Sequence, residues 1–187
     1  MSDAWSAVLA WCEEAGVDHE PGAREGEVVV RLPGEHRLTT TASVLVGDRS
    51  LSLSAFVVRH PEENTEAVLR WLLRRNARLR GVAFAVDGDG DVFLVARLPL
   101  VAVVPDVLDE LFGTVLATAD DAFDELLRLG FAGSIRREAR WRAERGLDAR
   151  NLAAFSRLLD DDGEDDGEDD GEDDGGDDRD ADGRDAP

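Results

Sequence analysis

Between Asn76 and Leu100 the chain reads NARLRGVAFAVDGDGDVFLVARLPL. Two apolar runs, Val82 to Val86 and Val92 to Val95, flank five residues that alternate Asp and Gly. This pattern specifies an antiparallel hairpin, because Asp and Gly accept the positive φ angles that a tight reversal needs. An Arg-rich helical pattern precedes the hairpin, and Pro99 and Pro105 close it from behind.

The remaining segments arrange themselves around this unit. Trp5, Val8, Leu9 and Cys12 recur at i, i+3, i+4 and i+7, so a first helix is predicted, capped by Ser2 or Asp3 and stopped at Gly16. Residues 18–26, with His19, Pro21 and Gly22, read as a loop. Three β-rich runs follow, Glu27–Leu32, Leu38–Val46 and Leu51–Val58, separated by short turn sequences that make them an antiparallel meander. A second helix is expected from Pro61 to about Leu79. Its early Glu62, Glu63 and Glu66 and late Arg70, Arg74, Arg75 and Arg78 complement the helix dipole. Behind the hairpin, Pro105 opens a helical region that Gly130 is expected to stop. A further helix is expected over Ile135–Arg145, and Leu152, Phe155, Leu158 and Leu159 form a last apolar helical patch. The order α-βββ-α-ββ-α with extra C-terminal helices is that of an α+β fold with a twisted antiparallel sheet, since the alternating units of a doubly wound sheet are missing.

The strands carry apolar residues on both faces. Val28, Val30 and Leu32 share one face, and Leu38, Val44 and Val46 share one face of their strand. Val29, Leu45, Phe56, Val58, Phe93 and Val95 are apolar as well, and some of them must point the other way. A sheet with one solvated face alternates more cleanly. The second face is therefore expected to be covered by the C-terminal helices, a second subunit or a client. Phe56, Val58, Phe93 and Val95 are the candidate partner surface, and Trp71, on a helix with a broad apolar face, is the candidate dimer contact.

Charge divides the chain into 1–159, an α+β domain, and 160–187, an acidic tail. The tail holds 17 acids and two Arg, with DDGE repeated three times from Asp161 to Glu172, whereas residues 1–159 hold 25 acids against 19 Arg. Without an apolar cluster the tail is expected to be disordered. The lone Cys12 fits a buried, reduced thiol. The chain starts without a basic, continuously apolar leader, and the run Val92–Val104 is broken by Arg97, so the expectation is a cytoplasmic protein with no membrane partner.

Catalytic patterns are missing. His19, His36 and His60 fall in loop or strand-edge positions without metal-ligand spacing, and neither a GxSxG elbow nor a P-loop occurs. Asp87, Asp89 and Asp91 match the first ligands of a calcium loop, but Val92 stands where that loop needs Gly and Leu98 where it needs Glu. No catalytic, metal or cofactor-binding residue is assigned, and no cofactor is expected. The Arg-rich stretches 70–80 and 135–145 read as solvated helix faces, and net charge argues against nucleic acid.

The element order and the segment GVAFAVDGDGDVFLVARLPL, with Asn76 and Leu79 upstream, resemble the YbjN family of bacterial proteins, described as sensory transduction regulators. The likeness continues into LGFAGSIRREARWRAERG, 129–146, and NLAAFSRLL, 151–159, covers most of residues 4–159, and leaves out the tail. It implies a type III secretion chaperone-like fold, with helices packed on an antiparallel sheet. It also implies a homodimer that holds an extended segment of a client or regulatory protein, with no enzymatic activity. The expected function is thus peptide or protein binding in a chaperone-like or regulatory role. A small-ligand-sensing regulator and an undetected enzyme are the alternatives. A closed apolar pocket with convergent polar groups would favour the first alternative, and clustered carboxylates or His in a cleft would favour the second.

Overall fold

The computed structural model describes residues 3–146. The elements are α1 (Asp3–Glu14), β1 (Asp18–Pro21), β2 (Glu27–Pro33), β3 (Thr39–Val46), β4 (Ser50–Val58), α2 (Thr65–Asn76), β5 (Val82–Val86), β6 (Val92–Pro99), a 3-10 turn (Leu100–Ala102) and α3 (Pro105–Glu144). The strands form one antiparallel sheet in the order β1-β2-β3-β4-β6-β5. The α+β class, the meander and the hairpin are as the sequence predicts. The candidate cap Ser2, the apolar patch Leu152–Leu159 and the acidic tail lie outside the described residues.

Alternate side chains decide where the core sits. Val28, Val30, Ala42, Val44, Leu51, Leu53, Ala55, Phe84, Val92 and Leu94 point to one face and are buried. Val8 and Cys12 of α1, Val68 and Leu72 of α2, and Leu108, Phe112, Val115 and Leu126 of α3 join them in one cluster. Trp11 of α1 stacks on Phe112 of α3, with ring centroids 4.0 Å apart. Burying a side chain such as Phe112 stabilises the fold by about 1.5–3 kcal/mol, so α3 is the main lid of this core.

Four expectations are corrected. Residues 18–21 of the expected loop form the edge strand β1. It has no apolar alternation and is held by its ladder with β2 and by Arg31, which pairs with Asp18 at 3.0 Å and Glu20 at 2.5 Å. Leu38, expected in the strand on the same face as Val44 and Val46, precedes β3 and is 88% exposed. The second helix begins at Thr65 rather than Pro61, because Asn64 takes a left-handed φ of 51° and residues 61–63 dock on α3 instead. Finally, Gly130 does not stop a helix. α3 runs through it for 40 residues, roughly 60 Å.

Gly130 is there for close approach. A Cβ at this position would lie 3.0 Å from Pro61 Cβ, and the Gly130 carbonyl accepts the N–H groups of Glu62 and Glu63 at 2.9 and 3.2 Å. Gly133 N–H donates to Glu63 Oε1 at 2.5 Å, and Asn64 Nδ2 donates to the Leu129 carbonyl at 3.1 Å.

The Asp-Gly hairpin turn uses two of its carboxylates on backbone N–H groups. Asp87 Oδ1 accepts from the N–H groups of Asp89 and Asp91 at 3.0 and 2.9 Å, and Asp91 Oδ1 accepts from His60 N–H at 2.7 Å. Gly90 adopts φ 89°, which explains the glycine there.

Candidate functional site

The second face of the sheet is only half-buried. Val29, Leu45, Phe56, Phe93 and Val95 lie on it, outside the core cluster and outside the apolar residues packed against that cluster. Phe56 is directly opposite Phe93 in the β4–β6 ladder, and their rings meet edge to face with centroids 5.6 Å apart. Ser54 lies opposite Val95 on the same face. Phe56, Phe93 and Val95 are therefore brought together.

Val58 does not share that face, which corrects the sequence expectation. A register irregularity between Phe56 and Val58 puts Val58 opposite Val92, and both side chains are buried in the core, at 5% and 1% exposure. Strict alternation from Phe56 to Val58 fails because β4 carries an extra residue there.

Trp71 is half-buried against its own fold. Its ring lies 5.9 Å from that of Phe84, and the Arg75 guanidinium sits 5.4 Å from it. The apolar groups that α2 offers to solvent are Leu69 and Leu73, 40% and 69% exposed.

At the far edge of the sheet, Asn76 covers β5. Its side chain accepts from Phe84 N–H at 2.7 Å and donates to the Phe84 carbonyl at 3.0 Å, replacing one residue of a missing neighbour strand.

Pattern reading missed the device that holds the β2–β3 connection. Asp120, on the buried side of α3, accepts backbone N–H groups from Glu35 at 3.0 Å, His36 at 3.1 Å and Arg37 at 2.8 Å. Burial disfavours its charge, but these three bonds and nearby His36 prevail and hold the carboxyl below its ordinary range. Asp124 binds His36 Nδ1 at 2.8 Å and raises the imidazole pKa. The loop thus fixed presents Arg37, whose Nη1 donates to the carbonyls of Phe56 at 2.5 Å and Val57 at 2.7 Å, where the β3–β4 ladder has already ended at Ala42 and Ala55. An Asp facing three consecutive loop N–H groups from 83 to 85 residues away leaves no local sequence signal.

Glu27 is a second structural carboxylate. Hydrogen bonds from the Arg24 side chain, Ser43 and the Arg24 backbone lower its pKa to about 2. Burial pushes the Cys12 thiol up to about 11, away from reactivity. Among the described residues, no group of three or more His, Cys, Asp and Glu could hold a metal ion, and no helix is long and apolar enough to cross a membrane.

A family model, YbjN, described as "Putative bacterial sensory transduction regulator", matches residues 6–128. The chain belongs to the YbjN family. The matched stretch holds the whole sheet, α2, the Asp120 cradle and the Phe56–Phe93 pair.

An uncharacterized protein of Mycobacterium leprae is 41% identical over 177 residues, covering 88% of this chain and 95% of the relative. Among solved structures, a chain of the ExsC–ExsE complex aligns with 65% of this YbjN-family chain and 92% of its own length, at 17% identity and a TM-score of 0.50. The Yersinia pestis type III secretion chaperone SycH, solved with a stable fragment of YscM2, aligns over 62% and 96% at 17% identity and a TM-score of 0.47. Helices packed on one face of an antiparallel sheet are the architecture implied by the resemblance.

Proposed function

We propose that this YbjN-family protein binds another protein, in a chaperone-like or regulatory role, by holding an extended segment on the second face of its sheet. The observation that carries this reading is the Phe56–Phe93 pair with Val95. These apolar side chains are left half-buried beside a packed core and outside it. A one-residue-in-two apolar pattern suits a partner in β conformation, whose alternate side chains reach the same surface. The solved ExsC–ExsE structure, which shares the fold, is itself a complex of two proteins. No catalytic step is assigned, and Asp120 and Glu27 are committed to backbone and side-chain hydrogen bonds. Self-association, also part of this reading, would use Leu69 and Leu73 of α2, since Trp71 packs within its own chain.

The test is affinity purification from native lysate with the full chain beside the double variant Phe93→Glu, Val95→Glu, whose fold is checked by circular dichroism. A protein held by the wild type and lost by the folded variant is the expected result. Equal retention by both, or none by either, would refute this surface. For self-association, light scattering across a concentration series should show a mass above 20.3 kDa that falls in Leu69→Glu, Leu73→Glu.

A further inference from the structure

Where β4 outruns β3, its end and α3 enclose a groove of about 620 Å³, within the range of small-molecule sites. Phe56 and Val57 form one wall, and Phe123, Leu127, Phe131 and Ile135 form the other. The groove meets the second sheet face at Phe56 but is otherwise separate from it.

Its charges are unevenly settled. Arg59, over the Phe131 ring at 5.6 Å, is paired with Glu62, and Glu138 is paired with Arg142 at 2.7 Å. Arg37 has no carboxylate partner among the described residues. Its guanidinium lies 5.3 Å from the Phe56 centroid and 5.7 Å from that of Phe123. Both of its hydrogen bonds leave from Nη1, so Nε and Nη2 have no acceptor among the described residues. Neither atom is buried, and Arg37 is among the residues that line the groove. Burial lowers the Arg37 pKa, the cost of a cation held against aromatic rings without a counter-charge.

We propose that the groove binds a small organic anion with a flat apolar body, an aryl carboxylate, held through its carboxylate by Nε and Nη2 of Arg37 with its ring among Phe123, Leu127 and Phe131. Guanidinium and carboxylate match as a two-point pair, and the apolar walls offer the ring surface to bury. The loop geometry preorganises this donor, because Asp120 fixes the Arg37 backbone and the Phe56 and Val57 carbonyls fix one end of its side chain. The inference is independent of the protein-binding reading, since either ligand could be held without the other.

The experiment is isothermal titration of the full chain at pH 7 with 2-naphthoate and with its uncharged isostere 2-naphthamide. The carboxylate should bind at least tenfold more tightly than the amide, and Arg37→Gln should remove that preference. Because Arg37 also ties down the end of β4, Ser134→Trp, which fills the groove from α3 and leaves Arg37 in place, should abolish binding on its own. Absence of naphthoate binding at millimolar concentration, equal affinity for acid and amide, or binding unaffected by Ser134→Trp would each overturn the proposal.

Discussion

Replacing Asp120 tests how the β2–β3 connection is held. Its carboxylate accepts three consecutive backbone N–H groups, from Glu35, His36 and Arg37. In Asp120→Ala all three lose their acceptor. A stranded donor costs about 1–3 kcal/mol when it stays dry and far less when water can replace the acceptor. Glu35 and His36 are exposed and Arg37 is half-buried, so the expected loss is about 3 kcal/mol, near the low end of the three-bond total. Asp120→Asn keeps the shape and one acceptor oxygen but turns an amide N–H toward donors, and should cost about 2 kcal/mol. Urea unfolding followed by tryptophan fluorescence measures both. A loss below about 0.5 kcal/mol in Asp120→Ala, the range of an ordinary surface substitution, would refute the reasoning. So would a larger loss in Asn than in Ala. The pH dependence is a second check. A carboxyl with a lowered native pKa stabilises fully above its unfolded value, about pH 3.9, and the contribution disappears as pH falls through the native value. The difference between wild type and Asp120→Asn should stay level between about pH 5 and 6 and shrink below about pH 4.

Asn76→Ala removes both bonds to the Phe84 backbone. It should cost about 1–2 kcal/mol in urea unfolding and increase light scattering on incubation, because an uncovered edge strand pairs with other chains. Unchanged scattering would show that β5 is protected by something else. Gly90→Ala forces a side chain into φ 89° and brings its Cβ against the His60 ring, so a loss of about 1–3 kcal/mol is expected by the same assay. For His36, the hydrogen bond and charge of Asp124 raise the pKa. The pair therefore stabilises fully below the unfolded value, about pH 6.5, and the effect is lost as pH rises through the native one. An NMR titration should find the imidazole pKa lower in Asp124→Asn than in wild type, and equal values would rule out the pair in solution.

Elements whose signals are local could be read without the fold. Val82 to Val95 with its Asp-Gly centre had to be a hairpin, and Val28, Val30 and Leu32 had to share a buried face, because strand period and turn chemistry are written in neighbouring residues. The resemblance in the same stretch gave the family. Local signals failed where a distant partner overrode them. β1 exists because Arg31 and the β2 ladder supply what its own composition lacks, and Gly130 makes room for Pro61 inside α3 rather than ending a helix. That Phe56, Phe93 and Val95 are apolar residues off the core was legible, yet the β4 irregularity that turns Val58 into the core was not. Long-range packing is what makes Asp120 order the loop carrying Arg37 and sets Arg37 over Phe56 and Phe123 with no carboxylate partner among the described residues. Asp120 and the Arg37 backbone that it holds are 83 residues apart, and they meet because the sheet and α3 bury a common core.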